Sequence, residues 1–200
     1  MHKDLKECLC CGDKNISMFL DLGHQPLANN LLPDIDSEYY QAPLKVNRCS
    51  SCWHSQLSVS VNPEILFKDY FYVTGTSKTM HEYCEYLATT LHTMSDRADS
   101  KILDIASNDG TFLSKFSKYG WDLYGIDPAE NLEKLAKKKG IKTFVNFFGT
   151  DKVDFGVKFD FITAMNVFAH VPDPLKFLIE CKRNLNQDGK IVIQTSQRYG

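Results

Sequence analysis

No stretch of this sequence is apolar for long enough to cross a bilayer, and its opening, MHKDLKECLCC, carries charges with no apolar run behind them. The first absence sets aside a membrane-spanning protein and the second a secretory signal, so a cytoplasmic location is expected. An excess of basic charge is missing as well. Residues 1–65 hold five basic and eight acidic side chains, and residues 66–200 hold eighteen and seventeen. Nucleic-acid binders concentrate positive charge on one module, so neither a nucleic acid nor a membrane is expected as a partner. The one like-charge run, Lys137 to Lys139, reads as the solvated C-terminus of a helix, where cations complement the dipole. An even cysteine count is also lacking. There are seven, five of them within the first 52 residues, which speaks against a disulfide framework. Internal repeats and low-complexity tracts are absent.

What is present divides in two. At 200 residues, the chain has room for a small module and an α/β core. Residues 1–65 look irregular, with short apolar pieces broken by proline, glycine and asparagine, as in LDLGHQPLANNLLP. They offer no long periodic stretch from which to build a core. Residues 66–98 form a linker and a long helix. Between Lys78 and Met94, apolar residues at Met80, Tyr83, Cys84, Leu87, Leu91 and Met94 share one helical face, and Ser77 or Thr79 caps the start.

From residue 99 to 200 strand and helix alternate. The spacing predicts strands in KILDIA, WDLYGID, KTFVNFF, KFDFITAMN and KIVIQTS. Helices are predicted in TFLSKFSKY, in PAENLEKLAKKK with Pro128 in its first turn and Gly140 beyond its end, and in DPLKFLIECKRNL. The expected fold class is therefore α/β, a Rossmann-like parallel sheet covered on both faces.

Two cysteine pairs, Cys8-x-x-Cys11 and Cys49-x-x-Cys52, lie 37 residues apart. Each pair points two thiolates at one ion from a tight turn, and four sulfurs close a tetrahedral zinc shell with no open position. Such an ion is structural, and it explains how a segment with little core folds. Cys10 competes for a place and His54 is an alternative to one sulfur; reduced cysteines without metal, or a redox pair, are the other reading. Cys84 and Cys181 sit on helix faces and read as core.

The carboxyl ends of the strands are where an open parallel sheet binds its ligand. Four segments meet there: Asp104 to Gly110 with Ala106, Ser107 and Asn108; Asp127; Phe147 and Phe148; and Met165 to His170 with Asn166. A dinucleotide turn shows three glycines and a row of N–H groups for pyrophosphate, whereas this loop has Gly110 alone. Asp109 would repel phosphate and suits a ligand with a cationic end. Asp127 accepts from ribose hydroxyls. Phe148 is either an adenine wall or core. S-adenosylmethionine, with an adenosine, a sulfonium and no phosphate, suits this set.

The stretches ILDIASNDGTFL, YGIDPAENL, NVFAHVPDP and DGKIVIQTS resemble a class I S-adenosylmethionine-dependent methyltransferase. With CLCCGDK, FLDLGHQPLANNLLP, APLKVNRCSSCWHSQL and LFKDYFYVTGTSKTM, the whole chain resembles the nucleotide-sugar C-methyltransferase family. That resemblance implies an N-terminal zinc-binding domain, a methyltransferase core and a C-terminal Rossmann-like domain. It implies a keto-sugar linked to thymidine diphosphate as substrate, with proton removal beside the ketone and attack of the enolate on the sulfonium methyl. Tyr70 and Tyr72 match the family's Tyr-x-Tyr stretch, which assists the reaction. His170 follows its Asn-Val-x-x-His-Val pattern, as a pocket-shaping residue or as a base. The family's base, a histidine in a Tyr-His-Glu-His segment after the fifth strand, has no counterpart before Gly200. On the sequence alone, a truncated sheet, cofactor binding and weak or no turnover are expected. Completion by a separate C-terminal polypeptide, or self-association through a free fifth strand, is the corresponding partner expectation. The rivals are a non-catalytic S-adenosylmethionine-binding or docking subunit and an NAD-linked enzyme.

Overall fold

The computed structural model describes residues 1–32, 34, 36–149 and 153–195. They form two compact units, one from Met1 to Phe71 with Pro172–Leu175, the other from Tyr72 to Val171 and from Lys176 on. Among the described residues no helix is long and apolar enough to cross a membrane.

The first unit is more regular than its sequence suggests. Strands β2 (Ile16–Pro26), β3 (Gln41–Cys49) and β4 (Ser55–Leu57) form an antiparallel sheet in the order β2-β3-β4, beside a short ladder of β1 (His2–Asp4) and β5 (Val59–Val61). Helix α1 (Pro63–Phe67) follows, capped by the Asn62 side chain, which accepts from Glu64 N. The irregular reading of residues 1–65 is thus corrected, and the cause lies in β2. Its pairing with β3 shifts register between Met18 and Leu20 and again between Asp21 and His24, with Gly23 left-handed. Two shifts in eleven residues erase the period-2 signature of a strand. Few apolar side chains are buried in this unit: Cys8, Ala42, Cys49 and Val59. Burial on that scale leaves folding dependent on another source of free energy.

The second unit opens with α2 (Lys78–Thr93), whose Ser77 cap accepts from Met80 N; Cys84, Ala88 and Leu91 form its buried stripe. Strand β6 (Lys101–Ile105), helix α3 (Thr111–Ser114), strand β7 (Asp122–Ile126), helix α4 (Glu130–Lys138), strand β8 (Lys142–Phe144), strand β9 (Phe159–Met165), helix α5 (Pro174–Asn184) and strand β10 (Leu185–Gln194) follow. The five strands pair in parallel in the order β10-β9-β6-β7-β8. Strand order therefore reverses between β6 and β9, and the carboxyl ends of these two strands flank the crevice in which such sheets bind ligands.

Period-2 alternation divides the strands between two cores. Ile102 and Phe161 pack with Cys84, Ala88 and Leu91 of α2 and with Phe112 and Phe116. Leu103, Ile105, Ile126, Ile162 and Ala164 pack with Phe177 and Cys181 of α5. Cys84 and Cys181 are core residues, as expected.

Four local readings change. The helix of TFLSKFSKY stops at Ser114, where Lys115 N and Phe116 N reach back only three residues, and a single 3₁₀ turn at Ser117–Tyr119 completes it. Pro128 precedes the α4 cap, Ala129, rather than lying in the first turn. Strand β8 ends at Phe144 because Asn146 N turns back to Phe144 O and Phe147 N to the Asn146 side chain. Strand β10 begins at Leu185, with a register shift before Lys190; its predicted end at Ser196 lies outside the described residues. β10 forms one edge of the described sheet.

Candidate functional site

The four thiols of the first unit converge. The Sγ atoms of Cys8, Cys11, Cys49 and Cys52 all lie within 4.8 Å of one another. Across the two knuckles, Cys8 meets Cys52 at 3.5 Å and Cys11 meets Cys49 at 3.6 Å. A tetrahedral zinc–thiolate shell with bonds of about 2.3 Å needs sulfurs about 3.8 Å apart, so the cluster fits that ion closely. All four cysteines are free.

The knuckles are built alike. Gly12 N donates to Cys8 O and Cys8 N to Asp13 O; Trp53 N donates to Cys49 O and Cys49 N to His54 O. The residue after each pair is left-handed, Gly12 at φ 76° and Trp53 at φ 64°. The bulky Trp53 accepts this conformation with Arg48 stacked 4.8 Å over its ring. Backbone donation by Cys52 leads in holding the Cys49 thiol down to about 7. Backbone donation by His54 would likewise lower Cys52, but burial and the three neighbouring sulfurs drive it up to about 12. Crowded thiolates of this kind are what a divalent cation relieves. Cys10 is exposed, and neither it nor His54 belongs to the cluster. Sequence reasoning missed Gln56. Its buried amide accepts from Leu9 N and donates to Glu7 O, bracketing the first knuckle from β4. No spacing rule marks such a residue.

In the second unit, strand β6 ends in a tight loop. Ala106, Asn108 and Gly110 are all left-handed, at φ 54°, 52° and 71°, and Ala106 is exposed. Five consecutive loop N–H groups are committed within the protein: Ser107 to Ile126 O, Asn108 to Asp127 Oδ2, Asp109 to Asn108 Oδ1, Gly110 to Ser107 O and Thr111 to Asp109 Oδ1. A pyrophosphate would find no donors here. The loop therefore fits a nucleoside ligand without phosphate, and the reason differs from the one read in the sequence.

Asp109 carries no repulsive charge toward a ligand. It is buried, and its Oδ2 accepts from Lys139 Nζ at 2.6 Å and from Thr111 Oγ1 at 2.9 Å. Burial would raise its carboxyl, but Lys139 and Thr111 outweigh burial and hold it low. Lys139 thus reaches Asp109 from the exposed end of α4, where Lys137 and Lys138 remain solvated. The pairing spans 30 residues and left no mark in the sequence.

Asp127 closes strand β7 and is 5 % exposed. Each of its oxygens accepts one backbone N–H, from Asn108 at 2.9 Å and from Ala129 at 2.9 Å. A carboxylate has about four acceptor sites, so two remain for a pair of hydroxyls. Burial raises its pKa, and the two backbone bonds work against that.

Asp104 faces Thr163 across the β6–β9 register, and Thr163 Oγ1 donates to it at 2.6 Å. Burial, with Asp127 nearby adding repulsion against the pull of Thr163, pushes Asp104 up to about 7. Its next neighbour in the row is Gly125, where a Cβ would come within 2.4 Å of Ser107 Oγ. Gly125 therefore lies directly against the loop, and Asp104 joins β6 to β9 beside it.

The remaining expected residues fall as follows. Asn166 is left-handed and exposed at the end of β9, its N–H donating to Gln194 O. His170 ends an exposed 3₁₀ turn, Phe168–His170. Phe148 is half-buried; it packs edge-on to Phe177 at 5.3 Å and lies 6.5 Å from Phe155, against the α5 core. Tyr72 is exposed, and its carbonyl accepts from Asn108 Nδ2. Tyr70 belongs to the first unit, where it packs edge-on to Phe67 and accepts from Asn29 Nδ2 at 3.3 Å. His81 is held by Gly75 O, and His92 stacks on Tyr119 at 3.8 Å.

Comparison with known proteins places this geometry. A methyltransferase-domain family model matches residues 78–199, and a zinc-binding-domain model matches residues 8–67. The C-methyltransferase NovU of Streptomyces niveus is 27% identical over 199 residues, covering 96% of this chain and 47% of that protein. A ubiquinone biosynthesis O-methyltransferase of Xanthomonas oryzae pv. oryzae is 26% identical over 136 residues, 62% of this chain and 54% of that protein. The chain thus spans about half the length of these relatives. Among solved structures, S-adenosylmethionine-bound CalS10, an amino pentose methyltransferase of Micromonospora echinaspora, shares the fold. Its TM-score is 0.52 at 18% identity, covering 62% of this chain and 53% of that one.

Proposed function

The chain belongs to the methyltransferase-domain family, and from that premise we propose that it binds S-adenosylmethionine at the carboxyl ends of β6 and β7 and takes part in C-methylation of a nucleotide-linked keto-sugar. The cofactor supplies an electrophilic methyl group on a sulfonium. Asp127 receives the two ribose hydroxyls on its remaining acceptor sites. Ala106 and Ser107 let the backbone approach the ligand closely, Gly110 opens α3, and Asn166 borders the site from β9. Asp104 ties β6 to β9 through Thr163 where the loop begins. His170 shapes the far side of the pocket. Tyr72 supplies a hydroxyl for the oxygen that gains charge as the sugar is deprotonated. Cys8, Cys11, Cys49 and Cys52 hold one structural zinc ion.

The single observation that supports the cofactor assignment is the loop of five internally committed N–H groups beside a carboxylate with acceptor sites to spare. The choice of carbon over oxygen as the methyl acceptor rests on the alignment with NovU, which runs through both units, where the O-methyltransferase alignment covers 62% of the chain. Titration calorimetry with S-adenosylmethionine, S-adenosylhomocysteine and NADH tests the cofactor. Binding of the first two is expected, weakened about tenfold or more in Asp127→Ala for the loss of a charged acceptor. Binding of NADH alone would overturn the reading. Incubation with keto-sugar nucleotides, followed by mass spectrometry for one added methylene, tests the reaction.

A further inference from the structure

Just ahead of α2, residues 72–76 form a strap ending in a single 3₁₀ turn at Thr74–Thr76. Its carbonyl at Tyr72 accepts from Asn108 Nδ2 at 3.0 Å, and its N–H at Thr74 donates to Asn108 Oδ1 at 2.9 Å. One side-chain amide therefore grips two backbone groups two residues apart, as the peptide unit of a neighbouring strand would. Asn108 is 8% exposed and left-handed, so its place is set by the loop and not by solvent. The same Oδ1 accepts from Asp109 N, and Asn108 N donates to Asp127 Oδ2.

Gly75 makes a second attachment. A Cβ there would stand 2.6 Å from Asp109 Oδ2 and 2.7 Å from Thr111 Oγ1. Both atoms are fixed by Lys139, so neither can retreat cheaply. The strap lies directly on the loop, and only glycine permits it. His81 Nε2 holds the Gly75 carbonyl from α2.

We infer that Asn108 is a positioning residue that latches the 72–76 strap to the cofactor loop, so that cofactor binding and the placing of Tyr72 are coupled. This rests on the roles given above to Asp127 and Tyr72. Hydroxyls bound to Asp127 fix its carboxylate, the carboxylate fixes Asn108 through its N–H, and the Asn108 amide fixes the strap. Coupling of this kind is reciprocal: whatever factor the cofactor adds to strap order, the latched strap adds to cofactor affinity.

The test is hydrogen exchange at residues 72–76, with and without S-adenosylhomocysteine, in the wild-type chain, Asn108→Ala and Gly75→Ala. Gly75→Ala lifts the strap while leaving Asn108 in place. In the wild type the ligand is expected to slow exchange at Thr74 about tenfold. In both variants the strap is expected to exchange as an open segment, and affinity for S-adenosylhomocysteine to fall about tenfold. Protection at Cys84 to Leu91 of α2 should persist, which separates this outcome from unfolding. Ligand-dependent protection of the strap retained in Asn108→Ala would overturn the latch. Undiminished ligand affinity in Gly75→Ala would overturn the coupling. A wild-type chain that binds no S-adenosylhomocysteine would instead sink the cofactor reading on which the coupling depends.

Discussion

Asp104 and Asp109 stand five residues apart, both buried, and their environments drive them in opposite directions. Asp109 has a cation at 2.6 Å and stays ionised; Asp104 has a hydroxyl and another carboxyl for company and is raised to about 7. The consequence for stability follows from proton binding. Between an unfolded value of about 3.9 and the folded value, the folded chain holds more protons at Asp104 than the unfolded chain does. Stability from this group therefore falls as pH rises from about 4 to 7, and no further above that. Asp104→Asn removes the titration and keeps an acceptor for Thr163. Urea unfolding at pH 5 and pH 7.5, with zinc in both buffers, should show the variant gaining on the wild type as pH rises, by on the order of a few kcal/mol. Parallel stability curves would show that Asp104 is ionised in the folded chain.

At the scale of elements, the knuckles and the sheet rows have different sources of stability. Strands β2 to β4 bury little apolar surface, and the zinc cluster lies where the β3–β4 turn meets the first knuckle. Metal binding supplies on the order of 10 kcal/mol in such sites, so chelation should unfold this unit. One zinc per chain is expected by metal analysis, none in the quadruple Cys→Ser variant. Loss of far-ultraviolet strand signal on chelation should be restored by added zinc. The parallel sheet instead depends on close packing. Gly125 sits under Ser107 Oγ, and Gly125→Ala should destabilise the second unit by about 1–3 kcal/mol, read by thermal unfolding.

For the whole molecule, the two units predict two responses. A ligand confined to the second unit stabilises that unit by mass action, about 2.7 kcal/mol at one hundred times its dissociation constant. Calorimetric scans with S-adenosylhomocysteine should raise a transition that chelators leave alone. A single transition shifted equally by chelator and ligand would show that the units unfold as one.

Much of this molecule was legible before its structure. Alternating strand and helix from residue 99, the Ser77 cap, Gly140 beyond α4 and the two cysteine pairs are local patterns, each set by backbone geometry within a few residues. The place of Asp127 was equally readable, between the end of a strand and the start of a helix. The rest depended on partners far apart in the chain. Lys139 reaches Asp109 across 30 residues, Asn108 reaches Tyr72 across 36, and Thr163 reaches Asp104 across 59. The sheet of the first unit was hidden because two register shifts broke its alternation. Local propensity and period act along the chain, so the sequence specifies which elements form and which residues end them. Charge neutralisation, packing and register act across it, so only the folded molecule decides that Asp109 is paired and that Asn108 holds the strap.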